Sequence, residues 1–92
     1  MESKLVPGKK KADIMLYALS TCPWCKKTKA LLDELGVEYR YIYCDLLTGK
    51  DSEKIDDEVA KYNPRLSFPT IVINGKKVIT GFSEDAIREA LA

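Results

Sequence analysis

Asp13-Ile14-Met15-Leu16-Tyr17-Ala18-Leu19 leads through Ser20-Thr21 into Cys22-Pro23-Trp24-Cys25-Lys26, and this change of pattern decides the fold. The first run is short and almost continuously apolar, as in a strand buried on both faces of a sheet. Beyond it, Cys25, Thr28, Leu32 and Leu35 recur at intervals of three and four residues, so one face of a helix turns inward. Pro23 falls at the first helical position, where its missing N–H costs nothing. Cys22 is thereby expected at the N-cap, facing the unpaired N–H groups of Trp24 and Cys25 and the positive end of the helix dipole. Both features favour negative charge on its sulfur, and Cys25 stands one turn away to resolve whatever Cys22 attacks.

Other uses of the pair are weaker. A structural disulfide closing so short a ring contributes only about 2 kcal/mol of loop entropy. A zinc centre needs four ligands, and the chain has three cysteines and no histidine, so Cys44 and a carboxylate or a second subunit would have to join. No metal is expected. A buried reduced pair without chemistry is the remaining plain alternative to redox work.

The rest of the chain has room for one core in 92 residues. Fifteen basic and fourteen acidic residues leave a formal charge of +1, which gives no global field to attract nucleic acid or a membrane surface. No apolar run reaches the roughly 20 residues needed to span a bilayer, and Met1 to Lys11 lacks a secretory apolar segment, so the expected compartment is the cytoplasm. Residues 1–12, polar, basic and interrupted by Pro7-Gly8, read as a loose arm, with the domain proper at 13–92.

After Gly36, a helix stop, Glu38 to Asp45 returns to strand character. Tyr39, Tyr41 and Tyr43 share one face and Arg40, Ile42 and Cys44 the other, with Cys44 a small apolar side chain near the strand end. A second helix follows Thr48-Gly49, with Ile55, Val59 and Tyr62 as its apolar stripe and Asp51, Asp56, Asp57 and Glu58 as a solvated surface, and it ends at Asn63-Pro64. Phe68-Pro69-Thr70 then enters Ile71-Val72-Ile73, and Asn74-Gly75 turns the chain into a partner strand, Lys77 to Thr80. The Phe68-Pro69 bond is either trans at a strand edge or cis at a substrate-facing loop. Ser83 caps a last helix with Glu84 and Asp85 in its first turn. The order β-α-β-α-β-β-α, with a right-handed parallel crossover and an antiparallel hairpin, gives an α/β fold whose four-stranded mixed sheet is flanked by helices.

This order, the Cys-Pro-Trp-Cys after the first strand, Phe68-Pro69-Thr70 before the third and the glycine turn before the last helix together resemble glutaredoxin, of the thioredoxin superfamily. The resemblance covers Asp13 to Ala92. It implies Cys22 as nucleophile, Cys25 as resolving cysteine and Pro69 as the family's cis-proline. Phe68 would offer its backbone to the cysteinyl part of glutathione, and Ser83 and Glu84 would hold the γ-glutamyl end. Thr21, Pro23 and Trp24 on one side and Gly81 and Phe82 on another complete the implied substrate groove.

Phe68 stands where the family usually has valine, and Gly81-Phe82 where it usually has Gly-Gly. Gly-Phe at that turn is similar to the glutaredoxin-like hydrogen donors of ribonucleotide reductase, recycled by thioredoxin reductase. The resemblance thus implies a dithiol-disulfide oxidoreductase, expected as a monomer, acting on protein or low-molecular-weight disulfides. Its electrons would come from glutathione, another small thiol or a thioredoxin reductase, with no tightly bound cofactor. A competing expectation is a dimer bridging a [2Fe–2S] cluster through Cys22; a third is a dedicated reductase for a target such as arsenate or methionine sulfoxide reductase.

Overall fold

The computed structural model describes residues 3–91. Strands β1 (Lys4–Val6), β2 (Ile14–Ala18), β3 (Tyr39–Tyr43), β4 (Thr70–Ile73) and β5 (Lys77–Thr80) form one mixed sheet in the order β1-β3-β2-β4-β5. Helices α1 (Pro23–Leu35), α2 (Gly49–Tyr62) and α3 (Glu84–Ala90) flank it. Only β2 and β3 run parallel, joined through α1; β4 is antiparallel to β2 and β5 to β4. The C-terminal ends of β2, β3 and β5 and the N-terminal end of β4 consequently meet at one pole of the sheet.

Two apolar clusters cover the two faces. Ile14, Leu16, Tyr39, Ile71, Ile73 and Ile79 pack with Cys25, Leu31 and Leu32 of α1 and Ile87 of α3. Tyr17, Ile42, Cys44 and Val72 pack with Ile55 and Val59 of α2. The alternation expected of Tyr39 to Cys44 is therefore realised, with Tyr41 and Tyr43 against the α1 cluster and Ile42 and Cys44 beneath α2. The helix boundaries follow local chemistry: Gly36 caps α1 at φ 68°, and Asn63 caps α2 before Pro64. Among the described residues, no helix is long and apolar enough to cross a membrane.

The sheet has five strands, one more than the sequence reading expects. The segment read as an arm supplies β1, which pairs antiparallel with β3, Leu5 opposite Arg40. Gly8 then runs so close to the chain after α1 that an added Cβ would stand 2.7 Å from the Gly36 carbonyl oxygen and the Val37 carbonyl carbon. Backbone bonds from Lys9 N–H to Gly36 O (2.8 Å) and from Glu38 N–H to Lys9 O (2.9 Å) hold it there. Three residues give too little periodicity to announce an edge strand. Met1, Glu2 and Ala92, included in the expected arm and domain, lie outside the described residues.

Glu58 also departs from its expected place on a solvated surface. It is partly buried and accepts a hydrogen bond from the Tyr17 hydroxyl across the interface between α2 and the sheet. On the other face the Tyr39 hydroxyl donates to Asp33 at 2.7 Å. Burial first, then these carboxylate partners, push both phenols well above their ordinary range.

Candidate active site

The pole where α1 begins gathers the expected site residues. Cys22 is the N-cap of α1, with Pro23 at the first helical position. Its sulfur accepts a hydrogen bond from the Cys25 N–H at 3.2 Å, filling one of the donor positions every helix start leaves open. Cys22 is half-buried; Cys25 is 2% exposed and lies on the buried face of α1. Burial, followed by the hydrogen bond its thiol makes with Cys22, pushes Cys25 up from 9.0 to about 12. The two thiols are therefore unequal, one at the surface on a helix start and one held protonated below it.

Cys44 is also buried, and its thiol is raised to about 11 mainly by burial. It packs in the α2 cluster, across the sheet from the cluster that contains Cys25. It does not join the pair, as the zinc alternative requires. Among the described residues no three His, Cys, Asp or Glu side chains converge as a ligand set.

The loops around Cys22 fasten to one another. The Phe68-Pro69 bond is cis, which decides between the two expected forms. Pro69 is buried, and its carbonyl accepts the Gly81 N–H at 2.8 Å, tying the loop before β4 to the turn after β5. Phe68, partly buried, packs against both apolar clusters. Phe82 stacks on Trp24 with ring centroids 6.0 Å apart and planes 24° from parallel, and Lys27 Nζ lies 4.6 Å from the Trp24 ring. The bulky residue in the Gly81-Phe82 turn thus ties that turn to the first turn of α1. Ser83 caps α3 by accepting the Ala86 N–H at 3.4 Å. Glu84 is exposed and takes Arg88 Nε at 2.8 Å, while the same guanidinium reaches Glu34 at 2.7 Å and so links α3 to α1. Thr21 and Pro23 are exposed beside Cys22.

Two groups that shape the pole escape the sequence reading. Asp45, just past β3, accepts the Ser20 N–H at 2.8 Å and the Ser20 hydroxyl at 2.5 Å, fixing the loop two residues before Cys22; those bonds hold its carboxyl below its ordinary range. Asn63 is buried and its side-chain amide donates to Ser67 O (3.1 Å), Ser67 Oγ (2.9 Å) and Thr70 Oγ1 (3.0 Å). That network folds the loop before Pro69 so tightly that Leu66 takes φ 52°, a left-handed conformation costing a leucine roughly 1–2 kcal/mol. An acid ending one strand beside the loop of its parallel neighbour, and a polar residue preceding a helix-ending proline, were the available signals.

The glutaredoxin family model matches residues 14–78, which include both cysteines of the pair, Pro69, strands β2, β3 and β4 and the start of β5. The chain belongs to the glutaredoxin family. Glutaredoxin 1 of Rickettsia conorii is 37% identical over 65 residues, covering 71% of this chain and 61% of the relative. The chain spans about three fifths of the length of the first curated relatives it matches. Among solved structures, the glutaredoxin of Methanosarcina mazei Go1 superposes with a TM-score of 0.89 at 49% identity, over 97% of this chain and 86% of that one. The methanoredoxin of Methanosarcina acetivorans superposes with a TM-score of 0.88 at 48% identity, over 91% and 88%. This glutaredoxin fold carries β1, the end of β5 and α3 beyond the residues that the family match spans.

Proposed function

We propose that the protein is a dithiol-disulfide oxidoreductase in which Cys22 attacks and Cys25 resolves. The observation that carries this reading is the inequality of the pair: Cys22 half-buried at a helix N-cap, Cys25 buried beneath it with its thiol raised to about 12. The Cys22 thiolate attacks one sulfur of a substrate disulfide, forming a mixed disulfide and releasing the first substrate thiolate, which takes a proton. Cys25 gives up its proton and attacks the Cys22 sulfur, closing a Cys22–Cys25 disulfide and releasing the second thiol. Two electrons pass from the protein dithiol to the substrate. A thiol donor restores the dithiol by the reverse sequence.

The hydrogen bond between the two thiols supports this division of labour. It adds to burial in keeping the proton on Cys25, and it sets the second thiol next to the first. Phe68, Pro69, Gly81 and Phe82 lie in the loops at the same pole and would orient the incoming disulfide. Ser83 and Glu84 are the groups to which a glutathione γ-glutamyl end would be assigned by family likeness, with glutathione, another small thiol or a thioredoxin reductase as the electron source.

The oxidised protein is titrated with millimolar glutathione, and with dithiothreitol in parallel, while the fluorescence of Trp24, the single tryptophan, reports the state of the pair. A change with both thiols is the expected result and makes glutathione a working donor. A change with dithiothreitol alone assigns the donor role to another thiol or a reductase. No thiol-dependent change with either would overturn the dithiol reading.

A further inference from the structure

Four large apolar side chains are exposed among the described residues: Leu5, Trp24, Leu46 and Leu66. Leu5 lies on the edge strand β1, but the other three gather at the pole that holds Cys22. Trp24, 55% exposed, opens α1. Leu46, 63% exposed, follows β3 and is held next to the Cys22 loop because its neighbour Asp45 grips Ser20. Leu66, 39% exposed, stands in the loop that ends in Pro69. Phe68 and Phe82, partly buried, belong to the loops at the same pole.

Trp24 is already supported by Phe82, yet its other surface remains in solvent. Leu66 is held in the left-handed region by the Asn63 network, in a conformation that asparagine or glycine adopts more readily. Strain kept at a functional pole points to a task for the side chain it presents.

The charges around the patch have a sign. Lys26, Lys27 and Arg65 are exposed at this pole, and none of the ion pairs found among the described residues engages them. Of the acids beside them, Glu84 is paired with Arg88, and Asp45, which keeps its charge, is turned toward Ser20. An approaching chain therefore meets an apolar patch flanked by exposed cations that no ion pair found among the described residues engages.

We infer that Trp24, Leu46 and Leu66, flanked by Lys26, Lys27 and Arg65, form a docking surface for protein disulfides whose cysteine lies in an apolar, acidic segment. The inference rests on the dithiol reading and names its substrate class. A disulfide in a folded protein brings flanking chain with it, and that chain can cover a patch on both sides of Cys22. A small disulfide reaches the sulfur without touching Leu46 or Leu66.

Two synthetic peptides, each closed by one disulfide of the same spacing, separate these cases: one flanked by Leu and Glu, the other by Ser and Lys. Second-order oxidation rates of the reduced full chain are followed by Trp24 fluorescence, with hydroxyethyl disulfide as the small substrate. Each rate is divided by that of dithiothreitol with the same disulfide. The acidic apolar peptide is expected to react about tenfold faster than the basic one, with the preference shrinking at high salt. Leu66→Asn and Leu46→Ser should each slow that peptide by about threefold to tenfold and leave hydroxyethyl disulfide unchanged. Leu66→Asn suits the left-handed backbone, so a folding defect does not cloud its result. Equal normalised rates for both peptides, a preference for the basic one, or equal loss on all three disulfides in the variants would overturn the docking surface while leaving the dithiol reading intact. Failure of all three to oxidise the protein would overturn both.

Discussion

The two poles of the sheet obey local rules to different degrees. At the pole away from the cysteine pair, residue types suit their backbones: Asn74 and Gly75 take φ 54° and 68° in the hairpin turn, and Gly36 closes α1. Asn74 also clasps the start of β2, its Oδ1 accepting Asp13 N–H at 2.9 Å and its N–H donating to Asp13 O at 2.7 Å. At the cysteine pole a cysteine takes an N-cap where Ser, Thr, Asp or Asn are usual, a leucine occupies a left-handed conformation, and large apolar side chains face water. One pole is composed for stability; the other departs from the same rules where chemistry and recognition need it.

Substitutions can break that contrast. Cys22→Ser should lower disulfide turnover more than about a thousandfold, because the attacking sulfur is gone. Since serine is a better N-cap than most residues, its melting temperature should equal or exceed that of the parent, as scanning calorimetry can record. A parallel loss of stability would remove the contrast at its centre.

Alkaline pH acts on the buried partner. The Cys25 thiol titrates at about 12 when folded against 9.0 ordinarily, so the folded state is favoured by its protonated form. That contribution is complete below pH 9 and is lost as pH climbs toward 12, by an amount on the order of a few kcal/mol. Urea denaturation between these limits should show a shallower decline in Cys25→Ala than in the parent.

At the opposite pole, Gly8→Ala would press a methyl group into the backbone of Gly36 and Val37 and cost roughly 1–3 kcal/mol. Its disulfide turnover per folded molecule should match the parent. The smallest effects come from a matched pair. Asn74→Ala forces alanine into a left-handed turn and removes the bond to Asp13, for about 1–2 kcal/mol of destabilisation in urea. Leu66→Asn should instead gain up to about 1 kcal/mol. Stabilisation at one site and destabilisation at the other is the signature of the contrast.

Much of this arrangement is legible in the sequence because it rests on local patterns. The apolar run at Ile14 to Ala18, Pro23 at the helix start, Asn74-Gly75 and the Ser83 cap each carry their own signal and each falls where expected. The sequence reading misses what depends on chain segments meeting. Lys4 to Val6 becomes a strand only because β3 offers an open edge, and Gly8 is needed only because Gly36 and Val37 pass beside it. Asp45 and Ser20 are 25 positions apart and are brought together by the parallel pairing of β2 and β3. Leu66 is an ordinary leucine in the sequence, and its strain appears only when the Asn63 network closes the loop. Glu58 reads as solvated until Tyr17 reaches it from the sheet.

The most direct test of the central claim, that Cys22 attacks and Cys25 waits beneath it, is alkylation of the reduced protein by iodoacetamide at neutral pH, followed by peptide mass spectrometry over time. The account expects Cys22 to be labelled first, with Cys25 and Cys44 remaining unmodified until the pH approaches the raised values of their buried thiols. Labelling of Cys25 ahead of Cys22 at neutral pH would contradict it.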